Sequence, residues 1–132
     1  MPEIRCSDDF ALYDVTPLEN LLVSAKLVDA AQTAERALAA LARLGLAGRE
    51  DLPCRYLSQG QKRRVALARL INDPRALWLL DEPFVALDTA AVELVSGLIG
   101  AHVRGGGLAV LTTHQPVEIA VDTVRQLVLG SC

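Results

Sequence analysis

The sequence lacks several features that would define a function by themselves. It has no G-x-x-x-x-G-K-[ST] loop, the glycine-rich segment whose backbone amides and lysine cradle nucleotide phosphates. Lysine occurs only as Lys26 and Lys62, and neither follows a glycine. No apolar run approaches the roughly 20 residues that a membrane-spanning helix needs. These absences argue against a self-contained phosphate-loop protein and against a membrane span.

Net charge and cysteine content indicate which partners and which cellular compartment to expect. The net charge is −3, which argues against a nucleic acid as the partner. Cys6, Cys54 and Cys132 are far apart, and no C-x-x-C motif or histidine cluster accompanies them. We expect unpaired thiols in a reducing compartment. Residues 1–5 have no basic stretch followed by an apolar one, so we expect no signal peptide and a cytoplasmic chain.

Hydrophobic periodicity and turn residues predict an α/β chain. Helices are predicted at about residues 17–28, 30–44, 59–71, 88–103 and 116–121, and strands at 76–81, 108–112 and 124–129. Three helices are thus followed by alternating strands and helices, which favours a short parallel sheet with crossover helices. We expect a helical subdomain, residues 1–73, and an α/β part, residues 74–132. Hydrophobic residues make up 52% of the chain, so we expect another surface to cover some of them.

The start of the third predicted helix, residues 57–61 with the sequence L-S-Q-G-Q, has the pattern of an anion site. Ser58 is a good N-cap, and Gln61 completes an S-x-x-Q capping box. Gly60 allows another surface to approach the backbone closely. Free amides and the positive end of the helix dipole then favour a phosphate, and the basic residues at 62–64 add positive charge. The alternative is an ordinary capped helix with a solvated basic face.

Two carboxylates, Asp81 and Glu82, follow an apolar strand. Ligands of α/β proteins bind at the carboxyl ends of parallel strands. Adjacent side chains diverge at a strand end, so the two need not share one role. Asp81 suits Mg²⁺, which prefers carboxylate and water oxygens, and Glu82 can take a proton from an attacking water. The alternative is a strand followed by a solvated acidic turn.

Three further polar residues need an interpretation. Asp88 precedes the fourth predicted helix and is well placed to cap it. His114 follows the strand at residues 108–112, at the same edge of the sheet, where it can hydrogen-bond a terminal phosphate. The alternative for His114 is a helix cap before Pro116. His102 lies on a predicted helix away from these motifs, and we expect an exposed side chain there.

In their order and spacing these motifs resemble an ABC ATPase from about Val15 onward. The matches are the signature motif at residues 57–61, the Walker B strand at 77–81, the D-loop at 86–88 and the switch histidine His114. Gln59 stands where glycine is common, and no glutamine before Thr16 serves as a Q-loop. Four segments also resemble the sequence of one particular ABC ATPase, the ATP-binding subunit of the haem exporter of cytochrome c biogenesis. They are residues 15–21, 63–70, 80–84 and 111–115.

The resemblance implies a role for each motif. ATP would lie between the signature of one subunit and the phosphate loop of a second subunit in a homodimer, with Mg²⁺ at Asp81. Glu82 and His114 would be catalytic, and the residues that contact nucleotide would be Ser58, Gln59, Gly60, Gln61 and Asp88. The subunits would be cytoplasmic and peripheral on the inner face of the cell membrane, where they would bind transmembrane transporter subunits.

We therefore expect a partial P-loop NTPase fold without its Walker A half. The chain would be the C-terminal portion of an ATPase whose full form couples ATP hydrolysis to export of haem, and the isolated chain would be inactive. In the alternative, a non-catalytic subunit lends its signature helix to an intact partner. A chromosome-maintenance or repair ATPase would need a long coiled coil before the signature, and residues 16–44 show no such heptad run.

Overall fold

Three parallel strands form the sheet of this protein, whose computed structural model describes residues 3–6, 14–27, 33–73 and 75–129. Their order across the sheet is β1 (Glu3–Cys6), β2 (Leu77–Asp81) and β3 (Leu108–Thr112). A 3₁₀ turn at Cys54–Tyr56 accompanies four helices, α1 (Pro17–Leu27), α2 (Ala34–Arg43), α3 (Gln59–Ala68) and α4 (Thr89–Arg104). The predicted α/β class with a short parallel sheet is confirmed.

The central strand, β2, pairs with both neighbours. Leu77 lies opposite Glu3 on one side and opposite Leu108 on the other, and Asp81 lies opposite Thr112. β1 is absent from the predicted strands, because four residues of alternating polarity are too few to show a clear period. Its pairing with β2, which comes much later in the chain, defines it as a strand.

Two elements predicted after β3 are wrong. Residues 116–121 form no helix, and residues 124–129 form no strand. A six-residue helix gains few internal hydrogen bonds. In this segment Val117 and Ile119 pack against the core without a helix, and the Val121 amide donates to the Ile119 carbonyl at 2.9 Å. A strand needs a neighbour for its backbone groups. Among the described residues, no strand lies beyond β3.

Local capping sets where the helices begin. Thr16 and Glu19 form the predicted box at α1, since the Glu19 amide donates to Thr16 Oγ1 at 3.2 Å. α2 begins at Ala34 and not near residue 30, because Thr33 is its N-cap. α3 ends at Ala68, before the predicted residue 71. The chain tightens there into bonds between residues three apart, such as the Leu70 amide to the Leu67 carbonyl at 3.0 Å.

One cluster of buried side chains joins the helices to one face of the sheet. It includes Leu21, Leu41, Leu46, Leu67, Trp78, Leu80, Phe84, Val95 and Ile99. The opposite face of β3 is open, since Leu108 and Val110 are 55% and 52% exposed. Parallel sheets are normally covered on both faces. Within the described residues, this sheet is covered on one.

A buried thiol anchors the turn that leads into α3. Cys54 is a free cysteine, as predicted, whereas the side chains of Cys6 and Cys132 fall outside the described part of the chain. Asn20 Nδ2 donates to Cys54 Sγ at 3.3 Å, and the Cys54 amide donates to the Val15 carbonyl at 3.0 Å. Burial raises the pKa of the Cys54 thiol, and the Asn20 hydrogen bond opposes that rise.

Candidate active site

The start of α3 has the predicted capping geometry. Ser58 Oγ accepts a hydrogen bond from the Gln61 amide at 3.1 Å, and Gln61 Oε1 accepts one from the Ser58 amide at 2.9 Å. Ser58 and Gln59 are exposed. The amides of Gln59 and Gly60 lie in the first turn, where a helix has no intrahelical acceptor for them. The N-terminus of α3 therefore presents free N–H groups to solvent, as an anion site requires.

Gly60 lies against the D-loop of its own chain. A Cβ at Gly60 would come within 2.8 Å of the Ala86 carbonyl oxygen, which is too close for any side chain. Ala86 has a φ of 62°, in the left-handed region that favours glycine. The glycine is thus required by packing inside this chain, independently of any second surface. A substitution at Gly60 would disturb the D-loop as well as the helix start.

Asp88 connects α4 to α3. Its Oδ1 accepts from the Ala91 amide at 2.8 Å, which confirms that it caps α4. Its Oδ2 lies 3.2 Å from Arg64 Nη2. Arg64 was expected to add positive charge behind the helix start, and its guanidinium instead pairs with the D-loop carboxylate. An exposed pair of this kind contributes little stability.

Asp81 stands at the carboxyl end of β2 with its side chain exposed. Its Oδ1 accepts a hydrogen bond from Thr112 Oγ1 at 2.7 Å, across the β2–β3 pair. No group of three His, Cys, Asp or Glu side chains in the described part of the chain could enclose a metal ion. Mg²⁺ is usually held by one or two carboxylates together with substrate phosphates. An exposed carboxylate oxygen at this edge fits that mode of binding.

Glu82 contacts His114, so the structure brings the two predicted catalytic residues together. His114 Nε2 lies 2.6 Å from Glu82 Oε1. The imidazole is 88% exposed, and the carboxylate is 36% exposed. The contact lies where β2 and β3 end, which is the edge of a parallel sheet at which ligands bind. A carboxylate and an imidazole in contact can together accept a proton and donate hydrogen bonds to a bound group.

The backbone of Glu82 is unusual. Its φ is 44°, in the left-handed region, which a non-glycine residue adopts at a cost. The Glu82 amide donates to the carbonyl oxygen and to Oγ1 of Thr112, at 3.1 and 3.0 Å. Thr112 therefore contacts both carboxylate residues, and it was not among the predicted site residues. Its position beside Asp81 in the sheet is a matter of register, which the sequence does not show.

Arg63 is buried, so it fits neither the added positive charge that was expected behind the anion site nor the solvated basic face of the alternative. It is 4% exposed, and its Nη2 donates to the Asp81 carbonyl at 2.8 Å and also to the Glu82 carbonyl. The residue was expected only to add positive charge near the anion site. It lies instead beneath the strand end and joins α3 to the carboxylate turn. Its place in a helix rich in buried apolar residues was the available signal.

The site residues thus fall into two joined groups. The first contains the start of α3 and the D-loop, in contact through Gly60 and Asp88. The second contains Asp81, Glu82 and His114 at the end of the sheet. Arg63 links the two groups through the strand-end carbonyls. The sequence predicted the members of both groups, and the link was missed.

Two other features lie outside these groups. His102 is half-buried and not exposed as expected, because its ring stacks on Trp78 with centroids 3.7 Å apart and planes within 5°. Its Nε2 lies 2.8 Å from the Ala76 carbonyl, at the start of β2 and away from the carboxylates. A groove of about 500 Å³ runs between α4 and residues 115–120, and none of the predicted site residues lines it.

The architecture matches part of an ATP-binding cassette. Two solved structures overlap most of the chain, a post-hydrolysis dimer of the cassette MJ0796 bound to ADP and Pi and a second dimeric structure of the same cassette. The TM-scores are 0.74 and 0.73, each at 26% identity. The match to the post-hydrolysis dimer covers 86% of this chain and 52% of that chain.

Sequence comparison defines the family. A protein-family model described as ABC transporter matches residues 5–85. The cytochrome c biogenesis ATP-binding export protein CcmA of Dechloromonas aromatica is 61% identical over 117 residues, covering 89% of this chain and 57% of the relative. The protein of the same name from Nitrosomonas europaea is 50% identical over 117 residues, covering 89% and 55%.

The chain belongs to the ABC transporter family. It is similar to the cytochrome c biogenesis ATP-binding export proteins, which confirms the resemblance read from the signature, Walker B and histidine motifs. It spans about half the length of the curated relatives it matches.

Proposed function

We propose that this chain is the signature and Walker B portion of an ATPase that couples ATP hydrolysis to export. The contact between Glu82 and His114 at the carboxyl edge of the sheet carries this proposal. The carboxylate has a fixed backbone and lies beside a solvent-exposed imidazole. This arrangement is suited to activate a water molecule for attack on a terminal phosphate. Glu82 is the general base, and His114 orients the carboxylate and the phosphate.

The other site residues hold the nucleotide. Asp81 holds Mg²⁺, which when bound neutralises charge on the phosphates. The start of α3, with Ser58, Gln59, Gly60 and Gln61, faces phosphate through its amides. Asp88 keeps the D-loop against this helix through Arg64.

The start of α3 faces phosphate held by the phosphate loop of a second ATP-binding subunit, whereas Asp81, Glu82 and His114 serve the other nucleotide site of the dimer. The start of α3 is open to solvent, since Ser58 and Gln59 are exposed, so a second chain can approach its amides. The similar cassette MJ0796 is described as dimeric with ADP and Pi. A homodimer of full-length subunits would therefore build each nucleotide site from two chains.

The names of the relatives support a proposal about the substrate. They are named as export proteins of cytochrome c biogenesis, and we propose haem as the exported molecule. No helix in the described residues is long and apolar enough to cross a bilayer. The ATPase would sit on the inner face of the cell membrane, where it would bind transmembrane transporter subunits. Residues 74–132 would be part of its nucleotide-binding core. The helical subdomain, expected at residues 1–73, would begin after β1, because β1 pairs with β2 and belongs to the sheet.

A non-catalytic subunit is the less favoured function. Such a subunit needs the start of α3 and no general base. Glu82 and His114 are nevertheless in contact, and the Glu82 backbone is held in a costly conformation. Strained backbone concentrates at functional sites. The site favours a catalytic role.

The test uses a chimera that joins this chain to the part of the Dechloromonas aromatica relative that it does not cover. The chimera is expected to hydrolyse ATP and to restore c-type cytochromes in a bacterium lacking its own protein. Glu82→Gln should bind ATP but lose about a hundredfold or more in rate. Glu93→Gln, an exposed glutamate on α4, is the matched control and should keep full activity. Undiminished hydrolysis by Glu82→Gln would make Glu82 a turn residue only.

The isolated chain supplies the second control. Most phosphate contacts in this class of ATPase come from the phosphate loop. We expect no saturation of the 132-residue chain by labelled ATP at low micromolar nucleotide with Mg²⁺. Tight binding by the isolated chain would show that its own residues form a complete site.

A further inference from the structure

Arg63 occupies a place that is costly for a charged side chain. It lies on α3 among Val65, Ala66 and Leu67, and only 4% of it is exposed. Burying a guanidinium is unfavourable unless hydrogen bonds replace its lost hydration. The neighbouring Arg64 keeps its guanidinium nearer the surface, against Asp88. Two consecutive arginines of one helix thus contact different parts of the site.

The guanidinium contacts the turn that carries the general base. Its Nη2 donates to the carbonyls of Asp81 and Glu82, the last residue of β2 and the next one. Those carbonyls lie where the strand ends and its regular pairing stops. A charged donor forms a stronger hydrogen bond to a carbonyl than a neutral donor does. Arg63 therefore supplies the partner that the ending sheet no longer provides.

The same peptide segment is held from its other side. The Glu82 amide donates to Thr112, and the φ of Glu82 is 44°. A non-glycine residue stays in this region only when its surroundings determine it. Thr112 on β3 holds the amide, and Arg63 on α3 holds the carbonyl. Between these contacts, the Glu82 side chain leaves the backbone in the direction of His114.

We propose that Arg63 is a positioning residue that holds the Glu82 backbone so that its carboxylate stays against His114. Its contribution to hydrolysis rests on the proposed function, whereas its effect on the Glu82–His114 contact does not. Arg63 acts from α3, whose start faces the phosphate of the other nucleotide site in the proposed dimer. It thus couples the position of that helix to the position of the general base.

The first test measures the contact in the 132-residue chain itself. The chain has two histidines, so ¹⁵N-histidine labelling gives two sets of ring signals at fixed pH. Glu82→Gln defines how the His114 signals change when the carboxylate is lost. Arg63→Met, which keeps length but removes the donors, should move the His114 signals in the same direction. Combining the two substitutions should add little to Glu82→Gln alone.

Three comparisons separate positioning from general damage. Arg63→Lys keeps a charged donor and should restore the His114 signals. Arg64→Met removes the neighbouring arginine and should leave them in place. The His102 signals report on the stack with Trp78 and should not move in any variant that stays folded. If Arg63→Met unfolds the chain, Arg63→Gln replaces it, since an amide keeps part of the donor set.

Two results would overturn the proposal. The His114 signals could stay unchanged in a folded Arg63→Met or Arg63→Gln chain, or they could fail to respond to Glu82→Gln. Each of these results would show that Arg63 does not position this contact. The chimera gives a separate kinetic readout, in which Arg63→Met should lower kcat by up to about a hundredfold with little change in KM. An inactive unmodified chimera would count against the proposed function and leave the NMR result to decide on Arg63.

Discussion

The helical region, residues 33–73, and the closing segment, residues 122–129, contain similar apolar side chains in opposite environments. Leu41 and Leu67 are 0% exposed, whereas Leu127 and Leu129 are each 82% exposed. The helical region has capped helices and a shared core. The closing segment has neither helix nor strand. Apolar content alone therefore does not decide which part of this chain folds.

The difference lies in how far away each segment must find its partners. A helix forms its hydrogen bonds within itself, and a cap three residues away can fix its start. A strand forms none of its bonds within itself and depends on a neighbour. Within the described residues, β2 lies between β1 and β3, and the closing segment pairs with neither edge. Four predictions test this comparison, from the largest expected effect to the smallest.

The largest effect concerns the size of the isolated chain in solution. The closing segment and the open face of β3 leave large apolar side chains in water, including Val110 and Leu127. Exposed apolar surface of this kind promotes association. We expect the chain to elute in sizing chromatography well above its 14.2 kDa monomer mass. Leu127→Gln with Leu129→Gln should shift it toward the monomer, and a sharp monomer peak for the unmodified chain would contradict the prediction.

A matched pair of leucines separates the two regions in stability. Leu67→Ala, in the buried core of the helical region, should lower the free energy of unfolding by about 2–5 kcal/mol. Leu127→Ala, in the closing segment, should change it by less than about 0.5 kcal/mol. Urea denaturation followed by circular dichroism measures both. Similar losses for the two variants would show that the closing segment is packed in solution.

The buried thiol adds a pH dependence to the helical region. The pKa of Cys54 is raised by burial, so the folded chain keeps its proton where the unfolded chain loses it. The Cys54 contribution is therefore fully present below the unfolded thiol pKa of about 8.5. It is lost as pH rises toward the higher folded value, by at most about 1.4 kcal/mol per pH unit.

The control for this pH dependence is Cys54→Ser, which keeps an acceptor for Asn20 and removes the titration. The free energy of unfolding is measured from pH 7 to pH 10 for both chains. The difference between the two curves should fall steadily above about pH 8.5. Parallel curves would mean that the thiol ionises equally in folded and unfolded chains.

The smallest effect is expected at the start of α3. Gln59→Glu puts a negative charge in the first turn, where the helix dipole favours it by about 0.3–1 kcal/mol. Ser58→Ala removes the cap and should cost about 1 kcal/mol. In the chimera, Gln59→Glu should nevertheless weaken hydrolysis, because the added charge repels phosphate. A variant that is more stable and still fully active would argue against an anion site at this helix.

Gln59→Glu is a sharper test than a substitution of the glycine beside it. Gly60 packs against the Ala86 carbonyl of its own chain, so any side chain there disturbs the fold and the site together. Gln59 is exposed, and a glutamate has nearly the same shape. The comparison of Gln59→Glu with Ser58→Ala thus separates the charge at the helix start from the stability of the helix.

The sequence by itself determined what depends on near neighbours. The box between Ser58 and Gln61, the cap at Asp88 and the strand that ends at Asp81 were all predicted, because their signals lie within a few residues. The family resemblance was also predicted from the sequence, because each motif is a short local segment and the motifs follow one another in the order typical of the family. The α/β class followed from the same local patterns.

Only the tertiary structure decided what depends on residues distant in sequence. It paired β1 with β2, left residues 124–129 without a strand, and stacked His102 on Trp78. It also shows that Arg63, expected to be a charge near the surface, is a buried hydrogen-bond donor to the backbone of the carboxylate turn. These outcomes depend on strand register, on the packing of helices against the sheet, and on whether a partner surface is present. Local propensity contains none of that information, because the contacts that decide each case form only when the chain has folded.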